Sequence, residues 1–179
     1  IEECLRGREL SVHAISDGER FVLLPPARDH KRIDDGDRGP NTGGMGVICP
    51  PPDVSADLLS EIGERMIVPT LRAMRERGAP FRGVLFAGIM LTERGPMLLE
   101  HNVRFGDPEC EALMELCEGD LAQVLYGAAT GALDPDALVV RRDRCAVVVV
   151  MSAAGYPQRP RAGDEITGID QAEALGAVV

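Results

Sequence analysis

Residues 83–92, GVLFAGIMLT, and 96–103, PMLLEHNV, are two nearly continuous apolar runs separated by the short polar segment ERG. Apolar runs of this length without a helical period predict strands covered on both faces, joined here as a hairpin. An earlier pair, ELSVHAIS at 9–16 and FVLLP at 21–25, brackets the turn cluster DGER and predicts another β-hairpin. Helical spacing appears between the two pairs. Ser55 is a candidate N-cap, and Leu58, Leu59, Ile62, Met66, Ile67, Leu71 and Met74 recur every three or four residues until Gly78. Pro69 lies inside this stretch and predicts a kink or a division into two helices. The helical pattern returns from Pro108 to Leu133, broken near Gly119, and CAVVVVMSA at 145–153 predicts a further strand.

Two stretches lack either period. Residues 25–53 are rich in Gly, Pro and Asp and read as a long irregular loop, the kind that is functional or disordered in a compact domain. Residues 134–143 are polar, contain Pro135 and read as a linker. The chain therefore divides into a unit at 1–140 and the start of a small β-rich unit at 141–179. The mixture of hairpins and helices gives an α+β fold class. IEECL at the start reads as the inside of a strand, and QAEALGAVV at the end is apolar and uncapped, so both ends are expected to be cuts through a longer polypeptide.

Composition narrows the function classes. Hydrophobic residues make up 45% of the 179 and aromatics 3%, so the core must be built from Leu, Val, Ile, Ala and Met. A net charge of −10 argues against a general nucleic-acid binder, while leaving room for a local basic pocket for a small phosphate. There is no apolar run of the ~20 residues needed to cross a bilayer, and no secretory signal, so no membrane partner and a cytoplasmic location are expected. Cys4, Cys49, Cys110, Cys117 and Cys145 form no C-x-x-C pair and fit free thiols in a reducing compartment. His13, His30 and His101 lie in no local motif that would pair with a catalytic cysteine.

The chemistry concentrates in LLEHNVRFGDPEC, residues 98–110. Strand alternation puts Glu100 and Asn102 on one face and His101 on the other. A carboxylate and an amide oxygen side by side are hard ligands of the kind Mg²⁺ prefers. Arg104 is placed to meet an anion, and Asp107 and Glu109 fall at a turn and a helix start. Taken alone, the Glu-x-Asn pair reads more plainly as the solvated end of a strand beside an ordinary helix N-terminus. In DHKRIDDGDRGPNTGGMG, residues 29–46, Gly39, Gly43, Gly44 and Gly46 allow backbone amides to approach a ligand as an anion nest, with Lys31 and Arg32 adding positive charge. The loop lacks the Gly-Lys-Ser/Thr ending of a Walker loop, and a flexible surface loop is the plainer reading. Glu2, Glu3 and Glu9 around Gly7 read simply as charges facing water.

Taken in order, IEECLRGRELS, ARDHKR, GPNTGGMG, LLEHNVRFGDPE and SAAGYP resemble the phosphoribosylamine–glycine ligase family of the ATP-grasp enzymes, over essentially the whole chain. The resemblance implies the C-terminal lobe of an ATP-grasp fold followed by the start of a β-rich domain. It implies an ADP-forming ligase that joins glycine to 5-phosphoribosylamine through an acyl phosphate in purine biosynthesis, with ATP and Mg²⁺ or Mn²⁺. It implies that the backbone around Glu2, Glu3 and Leu5 holds adenine and that Glu9 binds the ribose. Glu100 and Asn102 would ligate the metal. Lys31, Arg104 and the loop of Asn41, Thr42, Gly43 and Gly44 would handle phosphate and substrate anions, and Asp107 would receive the amine-bearing substrate. Cys4 and His101 stand where the family leads one to expect Phe, and His101 reads as a packing substitution. The N-terminal domain and glycine-rich lid of the family are not in the chain, so residues 1–179 alone are expected to be inactive. Another carboxylate–amine ligase of the same fold, or a non-catalytic nucleotide-binding or scaffold module, are the competing readings.

Overall fold

The structure is a computed structural model and describes residues 2–179. Its centre is a four-stranded antiparallel sheet of β1 (Arg8–Ser16), β2 (Phe21–Leu23), β7 (Gly83–Thr92) and β8 (Gly95–Asn102), in the order β2-β1-β7-β8. Both expected hairpins are present. The first turns on Asp17, whose buried carboxylate accepts the N–H groups of Glu19, Arg20 and Leu133. These bonds outweigh the cost of burial and lower its pKa.

One face of the sheet packs on the expected helical stretch. Ser55 caps it by accepting the Leu58 N–H at 3.1 Å. The stretch runs as α1 (Ala56–Ile62), a π-helical turn at 63–67 and α2 (Val68–Glu76). Pro69 explains the division, since it donates no N–H and its ring crowds the carbonyl of residue 65, and the wider π turn relieves that crowding. Leu10, Val12 and Ala14 of β1 and Leu85, Ala87 and Ile89 of β7 form one core cluster with Ile62, Met66, Ile67 and Leu71. A second cluster lies beyond the other face, where Ile15, Leu24 and Val47 meet Leu113 and Leu116 of α3 (Glu109–Leu116) and Val124 of α4 (Leu121–Thr130).

Several expectations are corrected. The segment 25–53 is not an irregular loop. It carries β3 (Arg28–Asp29), β4 (Arg32–Asp34), β5 (Arg38–Asn41) and β6 (Gly46–Cys49), each four residues or fewer and so too short to show a period. Residues 134–143 include β10 (Leu138–Val140), which pairs with β9 (Cys117–Gly119), the short strand at the expected break between α3 and α4. Residues 2–6 form no strand, and β1 begins only at Arg8. Among the described residues this segment has no strand to pair with. β8 is a sheet edge, and Leu98 and Leu99 are 40% and 41% exposed, so it is not covered on both faces.

β11 (Ala146–Val149) pairs with β6 in a three-stranded sheet of order β11-β6-β3. Among the described residues after 150, α5 (Ile169–Ala174) is the one helix or strand. We propose a division into 1–140 and 141–179, across which β11 is tied to β6 of the first unit.

Candidate functional site

The cleft-facing side of the sheet is set by register. β1, β7 and β8 align Ser11, Gly88 and Glu100 in one row and His13, Phe86 and Asn102 in the next. Directly opposite residues of antiparallel strands share a face, so these side chains share a floor. Between the rows lie Val12, Ala87 and His101, which point to the helices. His101 Nε2 is 3.0 Å from Thr70 Oγ1 of α2, and its Nδ1 is 3.2 Å from the Phe86 carbonyl.

The floor opens on a cavity of about 220 Å³ lined by Glu2, Glu9, Ser11, Lys31, Gly88 and Glu100, among others. The fold thus joins residues from the first segment, the Gly-rich region and the end of β8. Lys31 Nζ donates to Glu9 Oε2 at 2.6 Å. Partial burial opposes the Lys31 charge, but the Glu9 bond and charge prevail and raise its pKa. Asn102 Nδ2 donates to Glu100 Oε1 at 3.1 Å, and among the described residues neither side chain is in a salt bridge. A carboxylate and an amide oxygen on one strand face, within reach of each other, fit a hard divalent cation. Among the described residues no group of three His, Cys, Asp or Glu side chains joins them, so further ligands would come from phosphate and water.

The other expected residues stand apart from this cavity. Glu3 pairs with Arg94 at 2.7 Å, and Cys4 is exposed. Leu5 is half-buried and outside the cavity lining. Arg104 is exposed and donates to its neighbour's carbonyl at Phe105. Asp107 has an exposed side chain.

The loop of Asn41, Thr42, Gly43 and Gly44 departs from the anion nest that its glycines suggest. Thr42 N–H donates to the Lys31 carbonyl, Gly43 N–H to the Tyr156 hydroxyl, Gly44 N–H to Thr42 Oγ1 and Met45 N–H to the His30 carbonyl. Four successive backbone donors are therefore engaged within the protein. Gly44 is needed for another reason. Its φ is +131°, and a Cβ there would lie 2.4 Å from Pro108 Cδ and 2.9 Å from Asp29 Oδ1.

A polar cluster on the cleft-facing side was not picked out from the sequence. Ser11 Oγ donates to Glu109 Oε1 at 2.5 Å, although Glu109 is only 3% exposed. His13, fully buried, accepts the Gly106 N–H at Nε2, so its proton sits on Nδ1, which has no partner among the described residues. Burial, with the Arg104 charge adding to it, lowers the His13 pKa to about 4. Burial and the nearby Glu109 raise that of Asp29 to about 7. One available signal was the spacing of Glu9, Ser11 and His13, polar at every second position of an otherwise apolar strand. Cys49 is buried, and its thiol is pushed up to about 12, which suits packing and not nucleophilic chemistry.

Residues 1–110 match the family model described as phosphoribosylglycinamide synthetase, ATP-grasp (A) domain. The chain is 49% identical over its full length to the trifunctional purine biosynthetic protein adenosine-3 of Bos taurus, of which it covers 18%. It is 47% identical to a phosphoribosylamine–glycine ligase of Rhodopirellula baltica over 98% of its own length and 40% of that protein. The crystal structure of the phosphoribosylamine–glycine ligase of Thermotoga maritima superposes with a TM-score of 0.79 at 40% identity, over 89% of this chain and 40% of that one. The chain thus spans well under half the length of each of these relatives.

Proposed function

Since the chain belongs to the phosphoribosylglycinamide synthetase ATP-grasp family, we propose that it forms one lobe of an ADP-forming ligase that joins glycine to 5-phosphoribosylamine in purine biosynthesis. The observation that carries this reading is the convergence of Glu2, Glu9, Lys31 and Glu100 on one cavity, with Asn102 beside Glu100. A carboxylate is a poor electrophile, so glycine is first phosphorylated by ATP, and the amine of phosphoribosylamine then displaces phosphate from the acyl phosphate. Mg²⁺ or Mn²⁺, held by Glu100 and Asn102, would neutralise charge on the ATP phosphates.

The chain's own groups do the rest. The backbone at Glu2, Glu3 and Leu5 borders the adenine, and Glu9, steadied by Lys31, meets the ribose hydroxyls. Lys31 and Arg104 offset the charge that gathers as phosphate is transferred and released. The 41–44 loop packs against the Asp107–Pro108 turn, and this side receives the amine-bearing substrate. His101, on the helix side of β8, serves packing. No helix among the described residues is long and apolar enough to cross a membrane, and a cytoplasmic location is part of the proposal.

The test uses the full-length protein that carries these residues. ATP, Mg²⁺, glycine and phosphoribosylamine are supplied, and ADP and glycinamide ribonucleotide are measured. ADP release that requires both glycine and phosphoribosylamine supports the reading. Turnover with a different acid or amine in a substrate screen, or nucleotide binding without turnover, overturns it.

A further inference from the structure

Two motifs 113 residues apart in sequence meet in space. β11 pairs with β6 as far as Val149 opposite Gly46, and Val150 N–H then donates to the Met45 carbonyl at 3.0 Å. This pairing delivers the next turn of the chain onto the Gly-rich loop. There the half-buried Tyr156 accepts the Gly43 N–H on its hydroxyl at 3.0 Å, across that separation of 113 residues. A Cβ at Gly43 would lie 3.2 Å from this hydroxyl, tighter than ordinary contact.

Thr42, Gly44 and Met45 spend their amides on fixed protein oxygens of the same region. Gly43 alone spends its amide on a side chain brought from far along the sequence. A phenol that accepts one hydrogen bond keeps its own O–H to donate, and accepting polarises that O–H. The loop therefore trades a backbone donor for a longer side-chain donor. Gly44, the next residue, is 3.2 Å from the Asp107 carbonyl by its would-be Cβ, so the loop lies beside the turn assigned above to the amine-bearing substrate.

We propose that Tyr156 is a specificity-determining residue for the phosphorylated amine substrate, its O–H donating to the substrate's phosphate in place of the amide that Gly43 gives up. This rests on the ligase reading above. The proposal puts recognition of that substrate partly on residues beyond 150, outside the 1–110 span matched by the family model.

The experiment compares the full-length enzyme with Tyr156→Phe. A hydrogen bond to a charged group is lost, so KM for phosphoribosylamine should rise about tenfold or more, while kcat and KM for ATP and glycine change less than about twofold. Binding of ribose 5-phosphate, measured by calorimetry without turnover, should weaken by a similar factor. Gly43→Ala should have a comparable effect by displacing the hydroxyl, and adding it to Tyr156→Phe should cost nothing more, because both act through one group. An unchanged KM for phosphoribosylamine, an equal rise in all three KM values, or additive effects of the two substitutions would each overturn the proposal. If the unsubstituted enzyme shows no phosphoribosylamine-dependent turnover, the ligase reading itself fails, and the calorimetry still decides whether Tyr156 contacts a sugar phosphate.

Discussion

The row Val12, Ala87, His101 and the row His13, Phe86, Asn102 run across the same three strands and are offset by one residue in each. On the first, Val12 and Ala87 are fully buried against helix residues, and the one polar member, His101, has partners at both ring nitrogens. On the second, His13 is fully buried with Nδ1 unpartnered among the described residues, while the partly exposed Asn102 donates to Glu100. One face settles its polar groups internally. The other leaves one buried polar atom, His13 Nδ1, unsettled, which packing alone does not explain, because an unpaired buried polar group costs roughly 1–3 kcal/mol. The contrast separates a packed apolar face from a polar one within a single sheet.

The sharpest way to break the contrast is to cut into the helix side. Ile67→Ala, at a fully buried position, should cost about 2–5 kcal/mol of stability, read by denaturant unfolding, and should leave KM for the nucleotide unchanged in whatever fraction remains folded. On the cleft side, Glu100→Ala and Asn102→Ala should each lower metal-dependent turnover at least about a hundredfold, with stability within about 1 kcal/mol. Near-normal turnover of either variant at ordinary Mg²⁺ would remove them as ligands.

A smaller effect concerns pH. His13 titrates near 6.5 when unfolded and near 4 when folded, so the unfolded chain takes up the proton first. Its contribution is present above pH 6.5 and lost as pH falls through 4. Asp29 is the reverse, at 3.8 unfolded and about 7 folded, so its contribution is present below 3.8 and lost as pH rises through 7. The two oppose each other between pH 4 and 6.5, and Asp29 acts alone just above. Thermal unfolding of Asp29→Asn should therefore show stability rising over that interval without the later decline, and a curve parallel to the parent's would contradict the assignment.

The smallest effect is expected at His101→Phe, within about 1 kcal/mol, since Phe fills the space but leaves the Phe86 carbonyl without its ring N–H. A large loss of activity at unchanged stability would move His101 to the chemical side of the comparison.

The sequence made the long elements legible. The 83–92 strand, both hairpins and the Ser55–Gly78 helix with its break at Pro69 follow from period and capping alone. The alternation placing Glu100 and Asn102 opposite His101 also holds. The four short strands within 25–53 were hidden because none is long enough for an alternation to register. The loop at 42–45 misled for a different reason. Glycine reports what a backbone can do, whereas the use of its amides depends on partners such as Tyr156, 113 residues away. The Ser11–Glu109 bond spans 98 residues and was beyond local reasoning in the same way.

The register of the β7–β8 hairpin slips between Gly88 and Ile89, where Glu100 and Leu98 are the respective partners and Leu99 is the extra residue. Leu98 and Glu100, two apart in sequence, consequently face opposite sides of the sheet. The bulge acts as a joint between two reading frames, one set by the turn at Glu93–Arg94 and one by the Glu100–Asn102 pair. Deleting Leu99 would close the joint and leave both frames in place. Deleting His101 would shift everything after it by one position and turn residue 102 away from the cleft. Length changes in this strand are thus absorbed on one side of Glu100 and amplified on the other, which gives the hairpin turn freedom to vary in length while the end that carries Glu100 and Asn102 has none.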